Sequence, residues 1–190
     1  MPLKKIVVIG PESTGKSTLC EALAAHYHTE WVREYAREYL ERHGMDYTYE
    51  DLSTIARGQL AGEDKTGAMM RAGEAPPRTA AAERFLFIDT DLYVIKVWSE
   101  YVFGRCETWI LEEIARRPYD AYLLCCTDLP WEAEALREYP DLETRERLFH
   151  IYKDLLVNQT IPWAEIRGTA GQRLEHAVAA VERLTIRRSG

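Results

Sequence analysis

Five short runs along the chain are apolar on both sides of an extended backbone, and the stretches between them repeat their apolar positions at helical spacing. The runs are Ile6-Val7-Val8-Ile9, Thr29-Glu30-Trp31-Val32, Phe85-Leu86-Phe87-Ile88, Ala121-Tyr122-Leu123-Leu124-Cys125-Cys126 and Trp163-Ala164-Glu165-Ile166. Such runs lack strict in–out alternation, so they predict strands covered on both faces, as in a parallel sheet. After the first run, Leu19, Ala22 and Leu23 mark a helix. After the second, Arg33 to Glu38 turns into a helix that closes near Gly44. A polar start at Thr48-Tyr49-Glu50-Asp51 opens another, with Leu52, Ile55, Ala56 and Gln59 on or near one face. Residues 92–102, rich in aromatics, form a helix ended by Gly104, and a further one follows over Thr108–Arg116. Leu148, Ile151, Tyr152 and Leu155 stand at i, i+3, i+4, i+7, and Leu174, Ala177, Val178 and Val181 mark the last helix.

Two stretches escape this pattern. Residues 67–79 carry Gly67, Gly73 and Pro76-Pro77 without periodicity, which predicts a flexible loop. Residues 127–147 are charged, interrupted by Pro130 and Pro140, and hold Arg137, Arg145 and Arg147. No repeat and no long linker divides the chain, so one domain is expected over residues 1–190. Strands alternating with helices make it an α/β fold, a five-stranded parallel sheet with helices on both faces.

The junction between the first strand and the first helix reads Gly10-Pro11-Glu12-Ser13-Thr14-Gly15-Lys16-Ser17. Gly, four residues, then Gly-Lys-Ser is a phosphate-binding loop, and strand, loop and helix in this order are its confirming context. The glycines let successive N–H groups point inward, where the positive end of the helix adds to them. Lys16 supplies a point charge to the β- and γ-phosphates, and the Ser17 hydroxyl is a ligand for Mg²⁺. The fold is therefore that of a P-loop NTPase, with a nucleoside triphosphate and Mg²⁺ as its ligands and Gly10, Glu12 to Gly15, Lys16, Ser17 and Thr18 around the phosphates.

Composition narrows the partners. A formal charge of −7 opposes general binding of nucleic acid, whose phosphates need a basic surface. Apolar residues at 46% and charged residues at 29% predict a globular chain. Met-Pro-Leu-Lys-Lys leads into the first strand with no long apolar segment, so no signal peptide or membrane span is expected, and the cytoplasm is the expected location. Cys20, Cys106, Cys125 and Cys126 lack metal-ligand spacing, and the Cys125-Cys126 pair, within an apolar run, reads as two small buried residues.

Ligands of a doubly wound sheet sit beyond the carboxyl ends of its strands, so the residues there are read first for function. Asp89, at the end of the third strand, is placed to hold Mg²⁺ with Ser17. Asp91 either faces the same cleft or acts as a carboxylate in the first helical turn. Glu34 follows the second strand and could accept a proton from a substrate hydroxyl or hold a ribose diol, with Arg33 and Arg37 beside it. Arginines of the 127–147 segment could fold over the triphosphate as a lid. Arg167-Gly168-Thr169-Ala170-Gly171 offers backbone groups to adenine, and Tyr35, Tyr39, Trp98 and Tyr101 offer stacking faces or core.

The phosphate loop, Val32-Arg33-Glu34-Tyr35-Ala36-Arg37-Glu38, Phe87-Ile88-Asp89-Thr90-Asp91 and Tyr101-Val102-Phe103-Gly104 occur in this order. Together they resemble the ribosylnicotinamide kinase domain at the C-terminal end of NadR-type proteins, a P-loop family grouped with AAA-like ATPases. The resemblance covers nearly the whole chain. It implies ATP-dependent phosphorylation of the 5′-hydroxyl of nicotinamide riboside to nicotinamide mononucleotide. It also implies that Lys16 and Ser17 serve phosphate and metal, Asp89 the metal or the attacking hydroxyl, and Glu34, Tyr35, Arg37 and Asp91 the acceptor. Arg137 and Arg145 look like the lid arginines, and Gly168 belongs to the nucleotide side. The nucleotidyltransferase domain of the longer family proteins is not expected within these 190 residues, and Arg33 stands where some members carry an aromatic. A kinase for another nucleoside or nucleotide is one alternative. A regulatory ATP-binding switch without an acceptor is the other. A guanine-reading Asn-Lys-x-Asp or Thr-Lys-x-Asp is absent from the sequence.

Overall fold

The structure, a computed structural model, describes residues 2–73, 84–136 and 138–186. The apolar runs become β1 (Leu3–Ile9), β2 (Trp31–Val32), β3 (Arg84–Asp89), β4 (Ala121–Cys125) and β5 (Trp163–Ile166). They pair in parallel, in the order β2-β3-β1-β4-β5. Every residue of β4 is buried, as are the last four of β1 and the last five of β3, which explains their unbroken apolar sequence.

Side chains alternate across this sheet into two cores. Ile6, Val8, Phe85, Phe87, Leu123 and Cys125 face α1 (Lys16–Tyr27) and α7 (Ala170–Ile186). Val7, Ile9, Leu86, Ile88, Tyr122 and Leu124 face the other way, against α3 (Tyr49–Ala72), α4 (Leu92–Phe103) and α6 (Leu142–Val157). A third cluster joins α2 (Tyr35–His43), α3, α4 and α5 (Thr108–Arg116) through Ala36, Leu52, Ile55, Ile95 and Ile110. At the amino end of the sheet, away from the phosphate loop, Glu63 is buried and accepts from Lys5, Arg117 and the Tyr119 hydroxyl, a satisfied ionic knot.

Two expectations change. Helix α3 continues through residues 67–72, which the sequence reading gave to a loop. Met70 is buried under the sheet, and Arg84 donates to its carbonyl at 3.0 Å, so packing overrides the glycine at 67. Residues 74–79 of that expected loop lie outside the described residues. Helix α6 begins at Leu142, capped by Asp141, whose carboxylate accepts the Thr144 N–H at 2.7 Å. Arg145 and Arg147 therefore sit on a helix rather than on the irregular segment. No helix among the described residues is long and apolar enough to cross a membrane.

Candidate active site

Because β1 lies between β3 and β4, chain connections leave it in opposite directions and a crevice opens at its carboxyl end. The phosphate loop fills that end. Gly10 has φ +145°, and a Cβ there would lie 2.7 Å from the Cys125 carbonyl, so no other residue fits. Gly15, at φ +73°, is the turn from which α1 starts. The Thr14 hydroxyl and the Lys16 ammonium both donate to the Pro11 carbonyl, at 2.7 and 3.0 Å, and hold the loop curled.

A cavity of about 310 Å³ opens over this loop. On one side it is lined by residues 10–18, the whole phosphate loop and the start of α1. On the other it is lined by Glu34, Ala36, Arg37 and Leu40, by Val94, Val97, Trp98 and Tyr101 of α4, and by Leu148 and Tyr152 of α6. Leu136, Glu138 and Tyr139 form its outer wall. Trp98 and Tyr101, two of the aromatics offered for stacking, are therefore at the cavity. Tyr35 and Tyr39 instead pack with the helical cluster, and Tyr39 bonds the Asp51 carboxylate.

The pairing of Val8 with Asp89, and of Val32 with Ile88, brings Asp89 beside the loop and Glu34 beside Asp89. Asp89 is fully buried, and neither of its carboxylate oxygens makes a hydrogen bond of normal geometry, although the Ser17 hydroxyl lies alongside. Burial, helped by the charge of Glu34, pushes this carboxyl up to about 7, against the pull of Lys16. An orphaned buried carboxylate next to a serine hydroxyl fits Mg²⁺, a hard cation that takes one or two protein oxygens and completes its shell with phosphate and water. Among the described residues, no three acidic, histidine or cysteine side chains gather to hold a metal.

The two carboxylates are aimed by a residue that the sequence reading had left on a helix face. Gln59 of α3 is buried; its amide donates to the carbonyls of Asp89 and Thr90 at 3.2 and 2.8 Å and accepts the Tyr35 N–H at 2.8 Å. Thr90 has φ +72°, rare for a β-branched residue, and its hydroxyl reaches Glu34 at 3.4 Å. A lone amide on an otherwise apolar face was the available signal.

Asp91 goes elsewhere. Its carboxylate caps α4, accepting the Tyr93 N–H at 3.0 Å and the Tyr122 hydroxyl at 2.7 Å, and it is not among the cavity-lining residues. Asp91 is thus the N-cap residue of α4 rather than a residue of its first turn. Gly168 also has its backbone occupied: its N–H goes to Asp128 at 2.6 Å, and its carbonyl accepts Arg173 Nε at 2.8 Å. Arg173 is buried and further donates to the carbonyls of Thr14 and Cys126, at 2.9 and 3.0 Å, and to Asp128. Sequence reading missed it, although an arginine next to the apolar stripe of α7 was a signal. Arg145 is buried over the Trp131 ring, with Nε and Nη1 unpartnered. Arg137 lies outside the described residues.

All four cysteines are free thiols, three of them buried, and burial pushes Cys125 up to about 12. A family model described as an AAA domain matches residues 5–173. The trifunctional NAD biosynthesis/regulator protein NadR of Salmonella typhimurium is 25% identical over 169 residues, covering 87% of this chain. Its Escherichia coli counterpart is 26% identical over 168 residues, covering 86%. The chain spans 38% of the length of each of these curated relatives. Two crystal structures of NadR protein superpose on 96% of the chain at 23% identity. One, in complex with NR, has a TM-score of 0.73 over 51% of its own length; the other, with NAD and AMP-PNP, has 0.69 over 49%. These likenesses confirm the P-loop sheet.

Proposed function

The chain belongs to the AAA domain family, and from that premise we propose that it is an ATP-dependent kinase whose acceptor is a nucleoside, nicotinamide riboside first among candidates. The observation that carries this reading is the continuity of the cavity. One space is lined by the phosphate loop, by Glu34 and Arg37, and by the aromatics Trp98, Tyr101 and Tyr139. A nucleotide switch has no use for the second half. Nicotinamide riboside carries a cationic ring, and Trp98, Tyr101, Tyr139 and the Glu138 carboxylate are suited to a planar cation. The relatives named for NAD biosynthesis and the NadR complex with NR support the same acceptor.

In this reading Lys16 and the loop amides hold the β- and γ-phosphates, and Arg145 offers its unpartnered N–H groups to developing charge. Ser17 and Asp89 would hold Mg²⁺, which would supply neutralisation of the phosphate charge. Glu34 orients the 5′-hydroxyl and takes its proton as the oxygen attacks the γ-phosphorus and ADP leaves. Arg37 serves the acceptor end, and Arg137 joins Arg145 in offering positive charge to the phosphates.

The test is ADP release from Mg-ATP with a panel of nucleosides against a blank without acceptor, with the product weighed by mass spectrometry. Stimulation by nicotinamide riboside with formation of the mononucleotide is the expected result. Stimulation by another nucleoside alone would replace the acceptor, and a slow rate indifferent to all of them would leave only an ATPase or switch.

A further inference from the structure

Residue 12 sits inside the phosphate loop, where the surrounding amides gather negative charge, yet it is a glutamate. A free carboxylate there would oppose a triphosphate. Its two oxygens are instead both taken: one accepts the Glu138 N–H at 3.0 Å, the other the Tyr139 N–H. Next to it the Ser13 hydroxyl accepts the Glu132 N–H at 3.2 Å. Thus the segment that forms the outer wall of the cavity, residues 131–136 and 138–140, is pinned to the phosphate loop by side chains the loop pattern leaves free to vary.

The same segment is tied to the acceptor side. The Tyr47 hydroxyl donates to Glu138 at 3.0 Å and accepts the Trp98 indole N–H at 2.9 Å, and Trp98 is part of the chamber floor. Tyr139 packs edge-on against Tyr101, with ring centroids 5.6 Å apart. A continuous path therefore runs from Trp98 through Tyr47 and Glu138 to Glu12. Glu12 is partly buried, and burial raises its carboxyl against the two strap N–H bonds and Lys16, which lower it.

We infer that Glu12 is a positioning residue that holds the strap, residues 131–136 and 138–140, against the phosphate loop, and so decides whether the γ-phosphoryl group passes to the acceptor or to water. The inference rests on the kinase reading above. In either outcome the bond from the γ-phosphorus to the β–γ bridging oxygen breaks and ADP departs. The new bond forms to the acceptor oxygen, whose proton goes to Glu34, or to a water oxygen, giving inorganic phosphate. A strap that lies down excludes the water.

The experiment compares wild type, Glu12→Gln and Glu12→Ala, full chain, with melting temperature as the check on folding. Amide hydrogen exchange across Glu138 and Tyr139 is read with Mg-AMP-PNP. In parallel, ADP formed is compared with phosphorylated acceptor formed. Gln keeps one acceptor oxygen and Ala keeps none. Exchange should therefore quicken on the order of tenfold or more for Ala, with Gln between. The share of ADP without matching product should rise in the same order, while the KM for ATP changes much less. A general loss of structure would not produce that split. Unaltered exchange in both variants would overturn the inference, as would faster exchange with coupling intact. If Glu12→Ala does not fold, Glu12→Gln and Ser13→Ala, which each remove one hook, carry the same comparison. Should wild type phosphorylate no acceptor, the kinase reading fails by itself. The exchange measurement needs no acceptor and still decides whether Glu12 holds the strap.

Discussion

At the scale of single residues, the site rests on carboxylates treated differently by their surroundings. Glu34 lines the cavity, whereas Asp89 and Asp91 are shut away from solvent. Glu34→Gln should lower the rate of transfer by about a hundredfold or more, the scale of a lost general base, with little change in nucleotide affinity. Steady-state kinetics beside a nucleotide titration separates the two, and equal losses in both would remove Glu34 from the acceptor side. Asp91 gives a prediction about pH. Burial pushes its carboxyl up to about 7 even though the Tyr122 hydroxyl and the Tyr93 N–H favour the charged form. The folded chain then holds a proton that the unfolded chain has lost, so this group's contribution is full below about pH 4 and falls away as pH rises to about 7. Asp91→Asn retains an acceptor for the cap and should flatten that decline in urea-unfolding free energy. An undiminished slope would assign the bound proton to another group, with Asp89 the first to examine.

At the scale of elements, the strands and the phosphate loop were legible because each is a local property: a run buried on two faces, or a glycine spacing. The helices over Thr108–Arg116 and the β5 run at Trp163–Ile166 agree with their sequence boundaries for the same reason. The end of α3 was not legible, since Met70 is held by contacts with a strand fourteen residues later, and the turn chemistry of Gly67 and Gly73 pointed to a loop. The start of α6 was hidden likewise by the charges around its Asp141 cap. Of the expected site, the loop residues, Glu34, Arg37, Trp98 and Tyr101 line one cavity, while Asp89, Asp91, Arg145, Gly168 and Tyr35 are not among its lining residues. The role of Gln59 was only hinted at by a lone amide on an apolar face, because its partners are backbone groups supplied by other elements. Replacing it with Leu leaves the Asp89 and Thr90 carbonyls and the Tyr35 N–H without this partner. The expected cost is roughly 2–3 kcal/mol in chemical denaturation, together with a fall in kcat, because Glu34 and Asp89 lose their common support. A stable variant with normal turnover would show that the β2–β3 rim is held by the sheet alone.

At the scale of the whole molecule, the carboxyl rim of the sheet is clamped from both faces by buried polar side chains. Gln59 reaches in from α3 and fixes the β2–β3 side, where the carboxylates stand. Arg173 reaches in from α7 on the opposite face and joins the loops after β1, β4 and β5 through Thr14, Cys126, Gly168 and Asp128. Its planar fork serves acceptors in several directions at once, which a single ammonium cannot do. Arg173→Lys should therefore behave nearly as badly as Arg173→Met, each costing roughly 2–4 kcal/mol, since buried carbonyls and a carboxylate lose their donors. Both should weaken nucleotide binding, because the Thr14 carbonyl that Arg173 anchors belongs to the phosphate loop. The two clamps share no partner and enter from opposite faces, so the Gln59→Leu, Arg173→Met pair should be additive in unfolding free energy to within about 0.5 kcal/mol. Urea unfolding of the four members of that cycle measures it. A coupling above about 1 kcal/mol would mean that the rim yields as one cooperative unit. Phosphate loop and acceptor wall would then be disordered together rather than supported in halves.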